Sequence, residues 1–305
     1  MPSDRRALLT GATGFVGGHL ARALLDSGWE VHVVLRPSSD PAALGDVVDR
    51  LVCHVHDGTT NGLISLVRAA APGVVFHLAS LFIAEHRPEH VEPMVRSNLL
   101  FGSQLLEAMT ACDVSRLVNT GTSWQHYRGR SYSPICLYAA TKQAYEAILQ
   151  FYVETCNLRV ITLELADTYG PGDRRPKLLG ALRKALISGE PLAMSAGAQW
   201  LDLVHIDDVV AAYRAAARRV RSFQGGRHER YSVRSGAPIR LKELVRLYTD
   251  LGGRSLNVSW GSRPYRKREV MTRRRHGVRL PGWHPVTSLR KGLRRLMETY
   301  DQEDR

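Results

Sequence analysis

Residues 10–18 constrain the fold more than any other part of the chain. There, Thr10-Gly11-Ala12-Thr13-Gly14-Phe15-Val16-Gly17-Gly18 joins an apolar run, Ala7-Leu8-Leu9, to a stretch with helical spacing. Glycine at such a strand-to-helix turn lets the chain reverse tightly and brings backbone N–H groups up to a pyrophosphate at the positive end of the helix. The spacing is common in itself, and its place at the first turn of a strand–helix–strand unit is what makes it informative. Gly11, Thr13, Gly14, Phe15, Val16 and Gly17 are therefore the expected lining of a dinucleotide site.

The chain after the turn is periodic in the way such a unit requires. Helical spacing runs over about residues 17–27, 63–71, 97–112 and 137–155, and strand-like apolar runs over 30–35, 51–55, 74–78, 116–119 and 159–164. Strands that are apolar throughout, alternating with helices, imply a parallel sheet covered on both faces. The expected fold is α/β, a doubly wound parallel Rossmann sheet with a smaller C-terminal substrate-binding lobe. Past Ala166 the pattern is broken by Pro171, Gly172, Pro176, Gly189 and Pro191. Residues 202–206 read as one more strand leading into a capped helix. The expected division is thus 1–165 for the nucleotide-binding body, with 199–224 returning to it, and 166–198 and 225–305 for the lobe.

A chain of 305 residues can bury a sizeable core, and no stretch reaches the apolar length needed to cross a bilayer. The first strand begins within a few residues of Met1, so a cytoplasmic protein with no membrane partner is expected. Cys53, Cys112, Cys136 and Cys156 are scattered, without CxxC spacing or clustered histidines, and imply neither a disulfide framework nor a metal site. The net charge of +13 is spread along the chain, densest over 263–295, with no basic groove interleaved with aromatics. Nucleic acid is not an expected partner; anionic small molecules are.

About 20 residues beyond the glycine turn, an NAD-selective protein usually presents Asp or Glu to the ribose hydroxyls. Here Leu35 is followed by Arg36, Pro37, Ser38 and Ser39. A guanidinium flanked by hydroxyls suits a 2′-phosphate, so NADP(H) is preferred over NAD(H); the alternative is an arginine stacked unselectively over the adenine. Asp57-Gly58, after the third strand, reads either as a contact to the adenine or as a turn.

Tyr138-Ala139-Ala140-Thr141-Lys142 puts a phenol and an ammonium one helical turn apart on one face. A phenol with its ordinary pKa near 10 is a poor acid–base group at neutral pH until a positive charge favours the phenolate. Upstream, Asn119-Thr120-Gly121-Thr122-Ser123 ends a strand with hydroxyls at the edge where open α/β sheets bind ligands. Such a hydroxyl can hold a substrate carbonyl beside Tyr138.

GATGFVGG, VVFHLAS, Asn98 in RSNLLFG, TGTS, YAATK, TYGPGD and DLVHIDDV, in this order over residues 11–209, resemble the extended short-chain dehydrogenase/reductase family, nearest its NAD-dependent epimerase/dehydratase branch. The resemblance implies Ser123, or Thr122 beside it, as the carbonyl-binding hydroxyl, Tyr138 as acid–base, and Lys142 as its activator and ribose ligand. It also implies cofactor contacts from Leu78, Ala79, Ser80 and Tyr138 itself, a supporting role for Asn98 (by residue type alone, equally a helix N-cap), nucleotide-diphosphate sugar substrates and a homodimer built on helices 97–112 and 137–155.

Tyr127 resembles the tyrosine of the family's Ser/Thr-x-x-x-Tyr segment, which puts Trp124 and Gln125 where sugar 4,6-dehydratases carry Asp and Glu. Neither side chain transfers the proton that elimination of water needs. TGTSWQHY, DTYGPGDRRPK and LPGW are similar to reductases of CDP- or dTDP-linked deoxysugars, which favours NADPH-dependent reduction of a 4-keto-6-deoxyhexose. A 4-epimerase with retained cofactor, a reductase of another ketone or aldehyde, and a non-catalytic NADP-binding sensor are the alternatives. Expected substrate contacts are Trp124, Arg174, Lys177, Tyr265, Arg266 and Glu269, the last three offering a ring to a base and a guanidinium to a phosphate. Leu201 stands where the family often has Arg, which removes one expected contact.

Overall fold

The computed structural model describes residues 3–273 and 277–303. The body is built from β1 (Ser3–Thr10), α1 (Phe15–Leu25), β2 (Glu30–Leu35), β3 (Val52–Val55), α2 (Thr60–Ala70) and β4 (Pro72–His77), then α3 (Val91–Val95), which runs through a π turn (Arg96–Leu100) into α4 (Phe101–Ala111). β5 (Arg116–Thr122), α5 (Leu137–Thr155) and β6 (Arg159–Leu165) follow. Beyond these come β7 (Asp167–Tyr169), α6 (Leu178–Ser188), β8 (Leu192–Met194), β9 (Trp200–Leu201), β10 (Leu203–His205), α7 (Ile206–Val220), β11 (Arg227–Val233), β12 (Ile239–Arg240), α8 (Leu241–Gly252), β13 (Val258–Trp260) and α9 (Leu289–Glu303).

Seven parallel strands form one sheet in the order β3-β2-β1-β4-β5-β6-β11, a doubly wound Rossmann sheet. Every residue of β4 is buried and all but the first of β2, as strands covered on both faces require. α1 and α7 cover one face, where Leu20 and Leu24 share a core with Val209 and Tyr213. α2, α4 and α5 cover the other, through Leu63, Leu105 and Leu149. A separate core, around Leu182, Leu244 and Leu293, joins α6, α8 and α9 into the lobe. Strand order reverses between β1 and β4, which opens a crevice at their carboxyl ends.

One expectation needs correcting. Residues 225–305 were all assigned to the lobe, yet β11 pairs with β6 from Arg227↔Arg159 to Val233↔Leu165 and completes the sheet. Its first half is polar, which hides it from an apolar pattern; an edge strand has one open flank, and here its polar side chains find partners. Glu229 binds Arg219 at 2.7 Å, and Arg230 binds Glu146 at 2.6 Å. The reading of 202–206 as strand and cap agrees with the structure: His205 Nδ1 accepts from the Asp207 N–H at 3.3 Å at the start of α7.

Among the described residues no helix is long and apolar enough to cross a membrane. No group of three or more His, Cys, Asp or Glu among them is arranged to hold a metal ion.

Candidate active site

The glycine turn lies between β1 and α1 because nothing larger fits. Gly11 has φ +76°, and a Cβ there would stand 2.6 Å from the Ala79 nitrogen; one at Gly17 would stand 2.0 Å from the Gly11 carbonyl oxygen. Thr10 ties the turn to β4: its Oγ1 accepts from the backbone N–H groups of Leu78 and Ala79, both at 3.2 Å, and meets His77 Nδ1 at 2.9 Å. Gly14 is the N-cap of α1 and offers no side chain to the first turn, so the N–H groups there face outward beside Thr13, Phe15 and Val16. The cradle that a Cβ would fill fits a dinucleotide pyrophosphate.

Arg36 and Ser38 are exposed just beyond β2, and Ser39 Oγ accepts from the Arg36 N–H at 3.1 Å. Asp57 Oδ1 accepts from the N–H and the hydroxyl of Thr59, at 2.8 and 2.9 Å, and those bonds hold its carboxyl below the usual range. The Asp57-Gly58 pair forms a turn, with Gly58 at φ +91°, and leads into α2.

Tyr138 and Lys142 lie one turn apart on α5, 8% and 3% exposed. Burial pushes the Tyr138 phenol above its ordinary range, against the pull of a hydrogen bond with Ser80. Burial pushes Lys142 down to about 8, against the attraction of Glu146, so the ammonium stays largely charged at neutral pH. Lys142 has no hydrogen-bond or ion-pair partner among the described residues, which leaves its donors to a ligand.

Asn98 is not a helix N-cap. It sits in the π turn, 2% exposed, where Oδ1 accepts from Ser80 Oγ (3.1 Å) and the Leu81 N–H (2.8 Å). Its Nδ2 donates to the Leu81 carbonyl (3.1 Å) and to Thr141 Oγ1 (2.9 Å). The widened turn lets one amide clamp the loop after β4 to α5 through Thr141.

At the end of β5, Thr122 Oγ1 accepts from the Trp124 N–H at 3.3 Å and so shapes the turn, and Ser123 borders a small cavity beside Trp124 and Asp167. Gln125 turns inward and is fully buried; its Oε1 accepts from the Thr122 N–H at 2.8 Å and its Nε2 donates to Glu146 at 2.9 Å. Phe82 stands edge-on to Tyr138 with ring centroids 4.9 Å apart, and also faces Trp124 at 5.4 Å.

Between body and lobe lies a cavity of about 230 Å³ bordered by Phe82, Trp124, Tyr169, Lys177, Leu201 and Arg266. Beyond it a cavity of about 1030 Å³ is lined by Arg174, Arg175, Lys177, Arg183, Lys184, Arg263 and Arg266, with Glu85 and Asp173 as its only acids. Arg266 lies 5.0 Å over the Trp124 ring and pairs with Glu269 at 2.7 Å. Burial works against ionisation of Glu269, but Arg266 outweighs it and holds the carboxyl below its usual range. Glu269 thus borders neither cavity and steadies Arg266 instead. Tyr265 borders neither as well: its hydroxyl accepts from the Ala198 N–H at 3.1 Å.

Phe82, Glu146, Arg175, Arg183, Lys184 and Arg263 are residues near this site that the sequence does not single out. Arg175 grips Asp173 at 2.6 Å and lies 4.4 Å over the Phe15 ring, tying the lobe to the glycine turn. The run Asp173-Arg174-Arg175-Pro176-Lys177 was the available signal, though it does not say which cation points where.

Compared with known proteins, the chain matches the model of the NAD dependent epimerase/dehydratase family over residues 7–233. It is 25% identical to a CDP-abequose synthase of Salmonella muenchen over 299 residues, 96% of this chain and 97% of the relative. Among solved structures it is similar to MoeE5 in complex with UDP-glucuronic acid and NAD, with 27% identity and a TM-score of 0.81, covering 98% of this chain and 99% of that one. A UDP-glucose 4-epimerase of Thermotoga maritima with UDP-glucose shares the fold, with a TM-score of 0.85 at 21% identity, over 98% of this chain and 99% of that one.

Proposed function

Because the chain belongs to the NAD dependent epimerase/dehydratase family, we propose that it reduces the 4-keto group of a CDP- or dTDP-linked 4-keto-6-deoxyhexose to the hydroxyl, using NADPH. Within that family it is a nucleotide-sugar-modifying enzyme of the short-chain dehydrogenase/reductase type. The observation that carries the finer reading is the pairing of a buried Tyr138 and Lys142 with a Gln125 turned away from the site. Proton transfer to a carbonyl oxygen is thereby provided for, whereas the acid that eliminates water is absent from its place. Likeness to a CDP-abequose synthase supports a CDP-linked substrate.

When bound, the dinucleotide supplies the hydride that the carbonyl carbon receives. Tyr138 gives its proton to the forming alkoxide, and the Lys142 ammonium lowers the cost of the phenolate left behind. Ser123 donates a hydrogen bond to the same oxygen as charge develops. Arg174, Lys177 and Arg266 hold the diphosphate. Arg36, Ser38 and Ser39 receive the 2′-phosphate, the guanidinium supplying the charge that favours NADPH, whereas the similar MoeE5 structure holds NAD. A cytoplasmic homodimer through residues 97–112 and 137–155 completes the proposal, supported by the exposed Leu100 and Phe151 within those segments.

The test is NADPH turnover against a panel of nucleotide-linked keto-sugars. Stoichiometric oxidation of NADPH with a 4-keto sugar is expected, falling by roughly 10²–10⁴-fold in Tyr138→Phe. Interconversion of two sugars without net cofactor change would replace the reductase with an epimerase.

A further inference from the structure

We infer that Glu146 is a positioning residue for this site, whose buried carboxylate fixes the Thr122-Ser123 turn against the Tyr138 and Lys142 face of α5. The inference rests on the reading above in taking Tyr138, Lys142 and Ser123 as the working groups.

Lys142 and Glu146 are four apart on α5, so both side chains lie on one face. Glu146 is 2% exposed, and a carboxylate taken that far out of water is held there by specific partners. Arg230 Nε, from the edge strand β11, lies 2.6 Å from it, and Gln125 Nε2 lies 2.9 Å from it. Gln125 passes the connection on: its Oε1 accepts from the Thr122 N–H at 2.8 Å, one residue before the Ser123 hydroxyl. The result is an unbroken path from β11 through α5 to the end of β5. Room for it is made by Gly121, where a Cβ would stand 3.1 Å from Gln125 Oε1 and 2.9 Å from Thr162 Cγ2.

The charged surroundings leave this role to Glu146. Lys142 is met from α5 by Glu146 and from β4 by His77, which burial first and Lys142 second keep neutral, down to about 3. Glu146 is met from β11 by Arg230; nearby, the His126–Glu164 pair, 2.9 Å apart, ties the turn after β5 to β6 and is occupied with itself. Glu146 is therefore the acid that sustains the ammonium at Lys142 while holding the hydroxyl turn in register with the phenol.

The test reads Lys142 directly, by NMR titration of the protein carrying ε-¹³C lysine, alongside kcat and KM for the keto-sugar. In Glu146→Gln the Lys142 midpoint is expected to fall by about one pH unit, with the alkaline limb of kcat moving with it. Glu146→Asp should restore most of the midpoint. Gln125→Ala should leave the midpoint in place yet lower kcat by roughly tenfold with KM little changed, as loss of orientation does. A Lys142 midpoint unmoved in Glu146→Gln overturns the inference. Should that variant fail to fold, Gln125→Ala, which cuts the link to the Thr122 N–H, keeps the inference falsifiable: an unchanged kcat there overturns it equally. If no keto-sugar is turned over by the unaltered protein, the reductase reading fails, while the titration still decides the role of Glu146.

Discussion

A methyl group added at Gly17 would meet the Gly11 carbonyl oxygen at 2.0 Å, so Gly17→Ala must push the first turn of α1 away from the pyrophosphate cradle. Overpacking of this kind costs roughly 1–3 kcal/mol. Gly17→Ala is expected to lower the denaturation midpoint and weaken dinucleotide binding at least tenfold, read by urea titration and by quenching of intrinsic fluorescence. Gln125→Glu tests a different point. It restores the acid found in dehydratases, but facing Glu146 rather than the substrate, so no elimination activity is expected. Two buried carboxylates side by side raise each other's pKa in the folded state, so the destabilisation should be small near pH 5 and grow as pH rises toward 8. A variant as stable as the parent at pH 8 would contradict the inward placement. Such outcomes mark the limit of what could be read from sequence. Tyr138 and Lys142, or Gly11 and Gly17, are separated by one turn of chain, and local geometry alone brings them together. Gln125, Glu146 and Arg230 meet only after β5, α5 and β11 have assembled, and no local pattern records that.

Among the elements, the π turn is the most exacting. Its Asn98 serves four groups at once, and Asn98→Leu would strand the Leu81 backbone, at about 1–3 kcal/mol for each group left unpaired. The expected result is a lower unfolding free energy, together with reduced kcat as the loop after β4 loosens from α5. The turn after β5 carries its own pH dependence. Burial opposes charge on His126, but the hydrogen bond and the charge of Glu164, with the Arg130 and Ser131 carbonyls, together outweigh it and raise the pKa above its ordinary value. A histidine raised in the folded state contributes stability below its unfolded pKa and loses it as pH climbs through the folded one. Melting temperature should thus decline as pH rises above the ordinary histidine pKa of about 6.5, and His126→Gln should flatten that slope. Helices and central strands were legible in sequence because their periodicity is their own. β11 was not, since His228, Glu229 and Arg230 find partners in Thr162, Arg219 and Glu146, on other elements.

For the molecule as a whole, the excess of positive charge is concentrated where it can be used. Among the described residues, the larger cavity gathers seven cationic side chains against two acids, with Arg175 and Arg266 paired to Asp173 and Glu269 and the others lining the same space. Screening shortens from about 10 Å at 0.1 M salt to about 3 Å at 1 M. KM for the nucleotide sugar should therefore rise several-fold over that range, with kcat nearly constant; a salt-independent KM would mean that the diphosphate binds elsewhere. One consequence of the strand order concerns how the chain comes into being. β6 is flanked by β5 on one side and waits for β11 on the other, and the chain travels out through the lobe and back before that partner exists. While the ribosome is still adding residues 166–226, the open flank of Ile161 and Leu163 has nothing to seal it, and a nascent chain stalled in that interval presents a bare template to its neighbours.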